Sequence, residues 1–256
     1  MVSKFDDTQR NADEAAKGIE RGVAHVKANK VWNDLNIRGE GIVVAGQDTG
    51  VDFEHPAISS QYRGNNNGTI NHDYSWYDAI QTPVTPGDSN EKCGYASTEP
   101  CDDNGHGTHT IGTIVGDDGN QNKIGVAPKA KWIGCRNMDE GDGRPSTYIA
   151  CFQFFLAPFP VNGDMFADAD PSKAPHIINN SWGCPESEGC EGDEFIEILE
   201  NLKAAGIFTI ASAGNEGSSC STIQDGPAHN SALTFSVGAV SAPTVSYTHL
   251  TLPTKA

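Results

Sequence analysis

The stretch Asp102-Asp103-Asn104-Gly105-His106-Gly107-Thr108-His109-Thr110 places one histidine between two glycines, directly before a run of small residues with helical potential. Because glycine has no Cβ, another part of the backbone can approach the imidazole of His106 closely. A histidine at the start of a helix and beside a loop is well placed to exchange protons near neutral pH. The sequence therefore marks His106 as a candidate catalytic base.

Two other interpretations of His106 stay open at this point. It can be an ordinary turn residue, or it can bind a metal together with His109, three residues further along the same helix face. The metal interpretation lacks the glutamate that the His-Glu-x-x-His zinc motif contains. Motifs elsewhere in the sequence are needed to choose between these interpretations.

The composition limits the class of protein and its partners. The chain has 256 residues, a hydrophobic fraction of 37% and a formal charge of −17, which indicates a globular domain with a sizeable core. The negative charge argues against nucleic acid or an anionic membrane as a partner. No run of about 18 apolar residues is present, so the sequence predicts no membrane-spanning helix.

Strand-like and helical segments alternate along the chain. The pattern predicts a helix over residues 146–156 with Ser146 as its N-cap, and a second one capped by Asp193 and ended by Gly206. The long polar stretch 59–104 is interpreted as surface loops and short hairpins. The apolar runs of strand length are residues 42–47, 129–135, 176–181, 207–211 and 233–240. This alternation predicts an α/β fold with a doubly wound, mostly parallel sheet and helices on both faces.

Three polar side chains fall at matching places in this predicted sheet. Asp48 follows the first strand, His106 opens a helix and Asn215 follows a later strand. Ligands of open α/β sheets bind at the carboxyl ends of the strands, where these loops are expected to meet. A carboxylate, an imidazole and an amide are three parts of a nucleophilic acyl-transfer site. Taken by itself, Asp48 fits a turn or a helix cap equally well.

The ordered motifs around these residues resemble the subtilisin-like serine proteases. The matching segments are Asp48-Thr49-Gly50-Val51-Asp52 with the preceding apolar run, Asn104-Gly105-His106-Gly107-Thr108-His109, and Ser212-Ala213-Gly214-Asn215-Glu216-Gly217. Weaker matches occur at residues 125–128, 179–183 and 235–240. They follow the order found in the family, from about residue 22 to residue 240.

The resemblance implies roles for particular residues. Asp48 and His106 would be two members of a catalytic triad, and Asn215 would donate to the oxyanion of the transition state. The substrate backbone would pair with an edge at Gly141 and Gly143 as an added strand. The pocket for the residue before the scissile bond would be lined by Ser181, Trp182, Gly183, Ala213 and Gly214. Ser181 and Trp182 also fit ordinary packing at a strand end.

One departure from the family concerns the nucleophile. The family places its serine in a Gly-Thr-Ser-x-Ala segment at the start of a long buried helix, and this sequence has no such segment. Ser246 is no substitute, since it lacks the glycine and the helix start. We therefore expect a lead-in at 1–22, a partial catalytic domain at 23–244 whose C-terminal part is missing, and an atypical tail at 245–256. The alternative function is a non-catalytic module that binds peptides in the same cleft.

A second departure concerns calcium. Many members of the family have an aspartate after the His-Pro pair that occurs here as His55-Pro56, and this chain has Ala57 instead. The chemistry implied by the resemblance requires no cofactor. Calcium binding elsewhere on the acidic loops is possible, but the sequence does not identify a site.

Seven cysteines suggest an oxidising compartment. We expect an extracellular, monomeric protein that acts on polypeptides; residues 1–30 contain no apolar signal-peptide segment, so a leader would lie upstream. The turn-rich run between Cys184 and Cys190 predicts a disulfide, and Cys93 and Cys101 form a second candidate pair. Cys135 and Cys151 lie in apolar runs and are expected to be small core residues.

Overall fold

The computed structural model describes residues 18–230 and 232–239. The helices are α1 (Arg21–His25), α2 (Ala28–Asp34), α3 (His106–Val115), α4 (Pro145–Leu156) and α5 (Ile196–Ala204). The strands are β1 (Val43–Asp48), β2 (Asn65–Asn66), β3 (Thr69–Ile70), β4 (Trp76–Asp78), β5 (Lys131–Arg136), β6 (Met138–Asp139), β7 (Asp142–Gly143), β8 (Ile177–Asn180), β9 (Phe208–Ser212) and β10 (Phe235–Val237).

Six of the strands form one sheet in the order β10-β9-β8-β1-β5-β4, and every neighbouring pair is parallel. Strand β1 lies inside the sheet, paired with β5 and β8, and five of its six residues are buried. Burial on both faces explains its continuous apolar sequence. The carboxyl end of β1 brings Asp48 to the edge of the sheet beside the ends of β5 and β8.

Helices cover both faces of this sheet, as the sequence predicted. On one face, Ala45 and Ile178 pack with side chains of α4 and α5, including Phe152 and Leu199. On the other face, Val44 of β1 and Trp132 of β5 pack with Ile111 of α3 and with apolar side chains from the loop after β1. A Cβ on Gly46 would lie 2.7 Å from Ile111 Cδ1, so the absence of a side chain there lets α3 approach β1. The predicted doubly wound α/β architecture is confirmed.

The polar stretch 59–104 contains one more sheet strand than predicted. Strand β4 pairs with β5, and its Trp76 is buried with Nε1 donating to Ser97 O at 3.0 Å. A strand of three residues is too short to give a visible alternation of apolar and polar side chains. The interpretation of the whole stretch as loops and hairpins was therefore wrong at this strand, while β2 and β3 do form a short hairpin.

The predicted helix starts differ from the observed ones. Helix α4 begins at Pro145 with Arg144 as N-cap, and the Arg144 N–H donates to Thr147 Oγ1 at 3.1 Å, so Ser146 is not the cap. Proline suits the first helical position because its missing N–H would lack an intrahelical partner there.

Helix α5 and strand β10 are also shorter than predicted. The N-cap of α5 is Phe195 with no side-chain cap, so Asp193 does not cap it, whereas Gly206 follows the C-cap with φ +80° as expected. The strand predicted over residues 233–240 is Phe235–Val237, and Val240 lies outside the described residues.

The predicted domain limits are only partly within the described residues. Helix α1 runs across the limit placed after residue 22, and Trp32 of α2 donates from Nε1 to Val126 O at 2.9 Å. Residues 1–17 of the predicted lead-in and the whole predicted tail, 245–256, lie outside the described residues.

Three disulfides are present among the described residues. Cys93–Cys101 and Cys184–Cys190 are bonded as predicted. The prediction for Cys135 and Cys151 was wrong, because these residues form a third disulfide that links β5 to α4. Their apolar surroundings correctly indicated burial, but the sequence does not show that the two runs face each other. Cys220 is exposed and free.

The Cys135–Cys151 bond is expected to be important for stability. Replacing both residues with alanine removes a cross-link across 16 residues, and the free energy of unfolding should fall by about 3 kcal/mol. Urea unfolding followed by circular dichroism measures this change. Cys220→Ala is the matched control and should change the free energy by no more than about 0.5 kcal/mol. Equal urea midpoints for the oxidised chain with and without the double substitution would contradict the expectation.

Candidate active site

Asp48 and His106 meet at the carboxyl edge of the sheet. Asp48 ends β1, His106 is the first residue of α3, and Asp48 Oδ1 lies 2.7 Å from His106 Nδ1. An ionised carboxylate only accepts hydrogen bonds, so Nδ1 carries the proton and Nε2 of the neutral imidazole is a free base. The Asp48 side chain is 3% exposed and the His106 side chain 48% exposed. The contact expected from the sequence is therefore present, with the imidazole accessible to a reactant.

Other hydrogen bonds hold the Asp48 carboxylate in place. Its Oδ1 also accepts from the Thr49 N–H at 2.8 Å. Thr110 Oγ1 lies 3.3 Å from its Oδ2 and shares its one proton between this oxygen and Gly107 O at 2.9 Å. Thr110 lies one turn after His106 on α3, so one helix supplies both the imidazole and a donor to its partner. These bonds orient the carboxylate toward His106.

The glycine after His106 is required by close packing. A Cβ on Gly107 would lie 2.0 Å from the carbonyl oxygen of Gly50 and 3.0 Å from Asp48 Cβ. The Gly107 N–H also donates to Thr49 Oγ1 at 3.1 Å. The first turn of α3 can thus pack directly on the loop that follows β1, a close approach of the kind that the glycines beside His106 predict.

Asp102 holds the start of α3, a role that the sequence analysis missed. Its carboxylate is buried and accepts five hydrogen bonds from four residues: Thr49 Oγ1, the Asn104 and Gly105 N–H groups, and the N–H and Oγ1 of Thr108. Burial alone would raise the pKa of Asp102, but these hydrogen bonds outweigh burial and lower it. The signal that could have been used is the turn sequence Asp102-Asp103-Asn104-Gly105, because an aspartate in a turn accepts from the backbone N–H two residues on.

The electrostatics of the pair favour the charged imidazole. The hydrogen bond to Asp48 raises the pKa of His106, burial opposes this rise, and the charges of Asp48 and Asp102 add to it. A raised folded-state pKa stabilises the fold below the unfolded-state pKa of histidine, and this stabilisation is lost as pH rises through the folded value. The neutral imidazole, which is the form that can accept a proton, is correspondingly present mainly above the raised pKa.

Asp48→Asn is expected to lower the pKa of His106. The amide keeps the shape of the carboxylate but removes its charge. This weakens the hydrogen bond that is the main cause of the raised pKa of His106, and it also removes the smaller contribution of the Asp48 charge. Titration of the imidazole carbon-bound protons by NMR measures this shift, with the exposed His109 as the internal control. An unchanged His106 pKa in the variant would show that the contact with Asp48 does not govern its protonation.

A row of buried amides lies just below this edge. Gln47 Nε2 donates to Asn180 Oδ1 at 2.6 Å, and Asn137 Nδ2 donates to Gln47 Oε1 at 3.2 Å. Asn180 Nδ2 continues the row to Ile210 O at 2.7 Å. The row crosses β8, β1 and the end of β5, so it fixes the relative positions of the strand ends that carry Asp48 and Ser181.

Asn215 lies in the loop after β9 and is exposed. Its N–H donates to Glu216 Oε2 at 2.8 Å. Within the described residues its side-chain amide makes no hydrogen bond to the Asp48–His106 pair. The structure thus brings Asp48 and His106 into contact and leaves Asn215 at the same edge without a contact to them.

The predicted substrate-binding residues occupy two regions. Gly141 and Gly143 belong to the antiparallel hairpin of β6 and β7, whose backbone follows β5. Ser181, Trp182 and Gly183 follow β8, and Ala213 and Gly214 follow β9, which pairs with β8. The Trp182 ring stacks on Tyr148 at a centroid distance of 4.0 Å. This contact agrees with the other interpretation of Trp182, as a residue that packs at the end of a strand.

A buried ionic cluster adjoins the hairpin. The guanidinium of Arg136, which ends β5, lies 3.5 Å from Asp78, 3.6 Å from Asp103 and 3.8 Å from Asp139. Asn90 Nδ2 donates to Asp103 at 2.6 Å and to Asp139 at 2.7 Å. Burial raises the pKa of Asp78 to about 6, against the charge of Arg136. Asp103, next to Asp102, is thereby tied to the end of β5.

The metal interpretation of His106 finds no support at this site. Across residues 18–230 and 232–239, no group of three or more histidine, cysteine, aspartate or glutamate side chains is arranged to hold a metal ion. Ala57 is buried among apolar side chains on the α3 face of the sheet.

A doubly wound parallel sheet with a carboxylate–imidazole pair at its carboxyl edge defines an α/β protein equipped for general-base chemistry. The chain belongs to the Subtilase family, whose pattern matches residues 39–251. The match extends seven residues into the segment predicted to be an atypical tail.

Individual relatives agree with this family. The chain is 38% identical over 211 residues to Bacillopeptidase F of Bacillus subtilis (strain 168), covering 80% of this chain and 13% of that protein. It is 29% identical over 201 residues to the Major intracellular serine protease of the same organism, covering 78% and 50% of the two chains. With Subtilisin E of Bacillus subtilis (strain 168) it shares 28% identity over 231 residues, covering 90% and 49%. The chain thus spans half or less of the length of these relatives.

Among residues 18–230 and 232–239, no helix is both long enough and apolar enough to cross a membrane.

Proposed function

We propose that this chain is the part of a serine endopeptidase that carries the base of an Asp/His/Ser triad. His106 takes the proton from the attacking hydroxyl through Nε2, and Asp48 holds the imidazole in the required tautomer and stabilises the imidazolium. The observation that carries the proposal is the 2.7 Å contact between buried Asp48 and half-exposed His106 at the carboxyl edge of the sheet. Membership of the Subtilase family supports it.

The nucleophile in this proposal is a serine in a Gly-Thr-Ser-x-Ala segment, which these 256 residues do not contain. Asn215 completes the chemistry as the side-chain donor to the oxyanion, and its exposed position after β9 leaves its amide free to do so. These side chains require no cofactor for the reaction. Calcium binding by the acidic loops stays a prediction without an assigned site.

The substrate is a polypeptide bound across the strand ends. The hairpin at Gly141 and Gly143 accepts the substrate backbone, and the loops after β8 and β9 form the pocket for the residue before the scissile bond. We propose a monomer that is secreted into an oxidising compartment, because three disulfides are present. The relative Bacillopeptidase F is a peptidase by its name, which supports a polypeptide as the substrate.

The alternative is a module that binds peptides in the same cleft without cleaving them, which would need only the hairpin of β6 and β7 and the loops after β8 and β9. The two functions are separated by an extended form, in which residues 245–256 are replaced by a subtilase continuation that contains this segment. We expect the 256-residue chain to hydrolyse a fluorogenic peptide no faster than buffer, and the extended form to hydrolyse it in a manner blocked by a serine-directed phosphonate. Peptide binding without hydrolysis by the extended form would favour the alternative. Phosphonate-sensitive turnover by the 256-residue chain would reveal a nucleophile not assigned here.

A further inference from the structure

We infer that the proposed cleft selects a cationic side chain, arginine or lysine, before the scissile bond, and that Asp225 is its counter-ion. The inference rests on the proposed function and adds the substrate class to it. Asp225 lies 42 residues after Trp182-Gly183 in the chain, and no sequence motif connected it with the pocket.

The position of Asp225 follows from an antiparallel contact at the pocket wall. The Cys184 N–H donates to Gly226 O at 3.0 Å, which lays the segment before Pro227 against Gly183 and Cys184. A Cβ on Gly183 would lie 3.1 Å from Asp225 Cβ and 3.4 Å from Asp225 Oδ2. The carboxylate therefore stands directly over the backbone of one of the residues predicted to line the pocket.

The Asp225 carboxylate is not neutralised by the protein. It is partly buried, and among residues 18–230 and 232–239 no hydrogen bond or ion pair reaches it. By contrast, the nearby Glu188 accepts from Tyr148 Oη at 2.6 Å. A partly desolvated carboxylate without a partner is stabilised by a cation, and a guanidinium matches its two oxygens.

The surroundings of Asp225 are also acidic. Burial raises the pKa of Glu188, the hydrogen bonds from Tyr148 and Gly143 oppose this rise, and the charges of Asp142 and Asp225 add to it. The charges of Asp142 and Asp225 thus both act on Glu188, and no ion pair within the described part of the chain offsets any of the three. On the facing wall, Glu216 Oε2 would lie 2.4 Å from a Cβ on Gly214.

The hairpin extends this negative surface. Asp142, between Gly141 and Gly143, also lines a cavity of about 350 Å³ together with Asp88, Asp139 and Glu140. Asp142, Glu188 and Asp225 are not arranged as a metal-binding group, so the structure favours an organic cation over a metal ion. A cation on the long apolar stem of arginine or lysine can reach Asp225 while the substrate backbone stays at the strand ends.

The test compares two fluorogenic peptides that differ only in the residue before the scissile bond, arginine or citrulline. Citrulline keeps the shape of arginine and lacks its charge. We expect the extended form to cleave the arginine peptide with a kcat/KM about tenfold or more above that for citrulline. Asp225→Asn should bring this ratio close to one, while Glu197→Gln, which removes the same charge from an exposed position on α5, should leave it unchanged.

The outcomes separate this inference from the proposed function. Hydrolysis of both peptides at similar rates would overturn the inference and leave the endopeptidase intact. The role of Asp225 would be overturned if Asp225→Asn, shown to be folded by circular dichroism, still preferred the arginine peptide. The selectivity would then come from another carboxylate. Failure to cleave either peptide, or any unrelated one, would overturn the proposed function together with the inference.

Discussion

Replacing His106 with alanine in the extended form is expected to lower kcat by a factor of about 10⁴ to 10⁶. In a subtilisin, loss of the triad histidine lowers kcat by about 10⁶, because the nucleophilic hydroxyl then has no base. Residual hydrolysis above the rate in water would come from substrate binding and the oxyanion donor alone. Progress curves with a fluorogenic peptide at saturating concentration measure the loss.

The matched control for this substitution lies on the same helix. His109→Ala changes the same residue type at an exposed position of α3 and should alter kcat less than about twofold. Thermal unfolding of both variants shows whether α3 stays intact. If folded His106→Ala kept more than about one hundredth of the turnover, His106 would not be the base.

Replacing Arg136 with methionine is expected to lower the free energy of unfolding by about 3 to 5 kcal/mol. Arg136 is fully buried and is the shared ionic partner of Asp78, Asp103 and Asp139. Methionine fills much of the volume but leaves the three carboxylates without that positive charge. Urea unfolding measures this loss of stability. The extended form should also lose activity, because Arg136 pairs with Asp103, three residues before His106.

The pH dependence distinguishes this ionic effect from a packing effect. Burial raises the pKa of Asp78 to about 6 and also raises that of Asp103, so both bind protons more readily in the folded protein than when unfolded. Such groups lower the stability as pH rises through their folded values. The deficit of Arg136→Met should therefore be smaller at pH 5 than at pH 8.

The control for Arg136→Met is Lys129→Met. It removes an ion pair of 3.1 Å with Glu40 in which both side chains are about half exposed, and it should cost no more than about 1 kcal/mol. A deficit of Arg136→Met that is equally small, or that does not change with pH, would contradict the assigned role of the cluster.

The parts of the fold that the sequence predicts well are those encoded by local pattern. The continuous apolar run of β1 ends in Asp48, and the glycine-flanked His106 opens α3, so both positions could be read without knowing the tertiary structure. The contact between Asp48 and His106 could be predicted because the loops at the carboxyl ends of parallel strands meet at one edge of the sheet.

The parts that the sequence did not predict depend on contacts between distant residues. The disulfide of Cys135 and Cys151 requires knowing that β5 and α4 face each other, and β4 is too short to show a period. The partners of Asp102 include Thr49, which precedes it by 53 residues. Asp225 likewise meets Gly183 only through the fold.

Labelling with a serine-directed phosphonate tests the central claim most directly. The claim is that the Asp48–His106 pair activates a serine hydroxyl supplied by a Gly-Thr-Ser-x-Ala segment. The extended form should gain one phosphonyl group, located by peptide mass spectrometry on that serine, at a rate at least about 10³ times higher than in His106→Ala. Equal labelling rates in the two proteins, or attachment to a different residue, would contradict the claim.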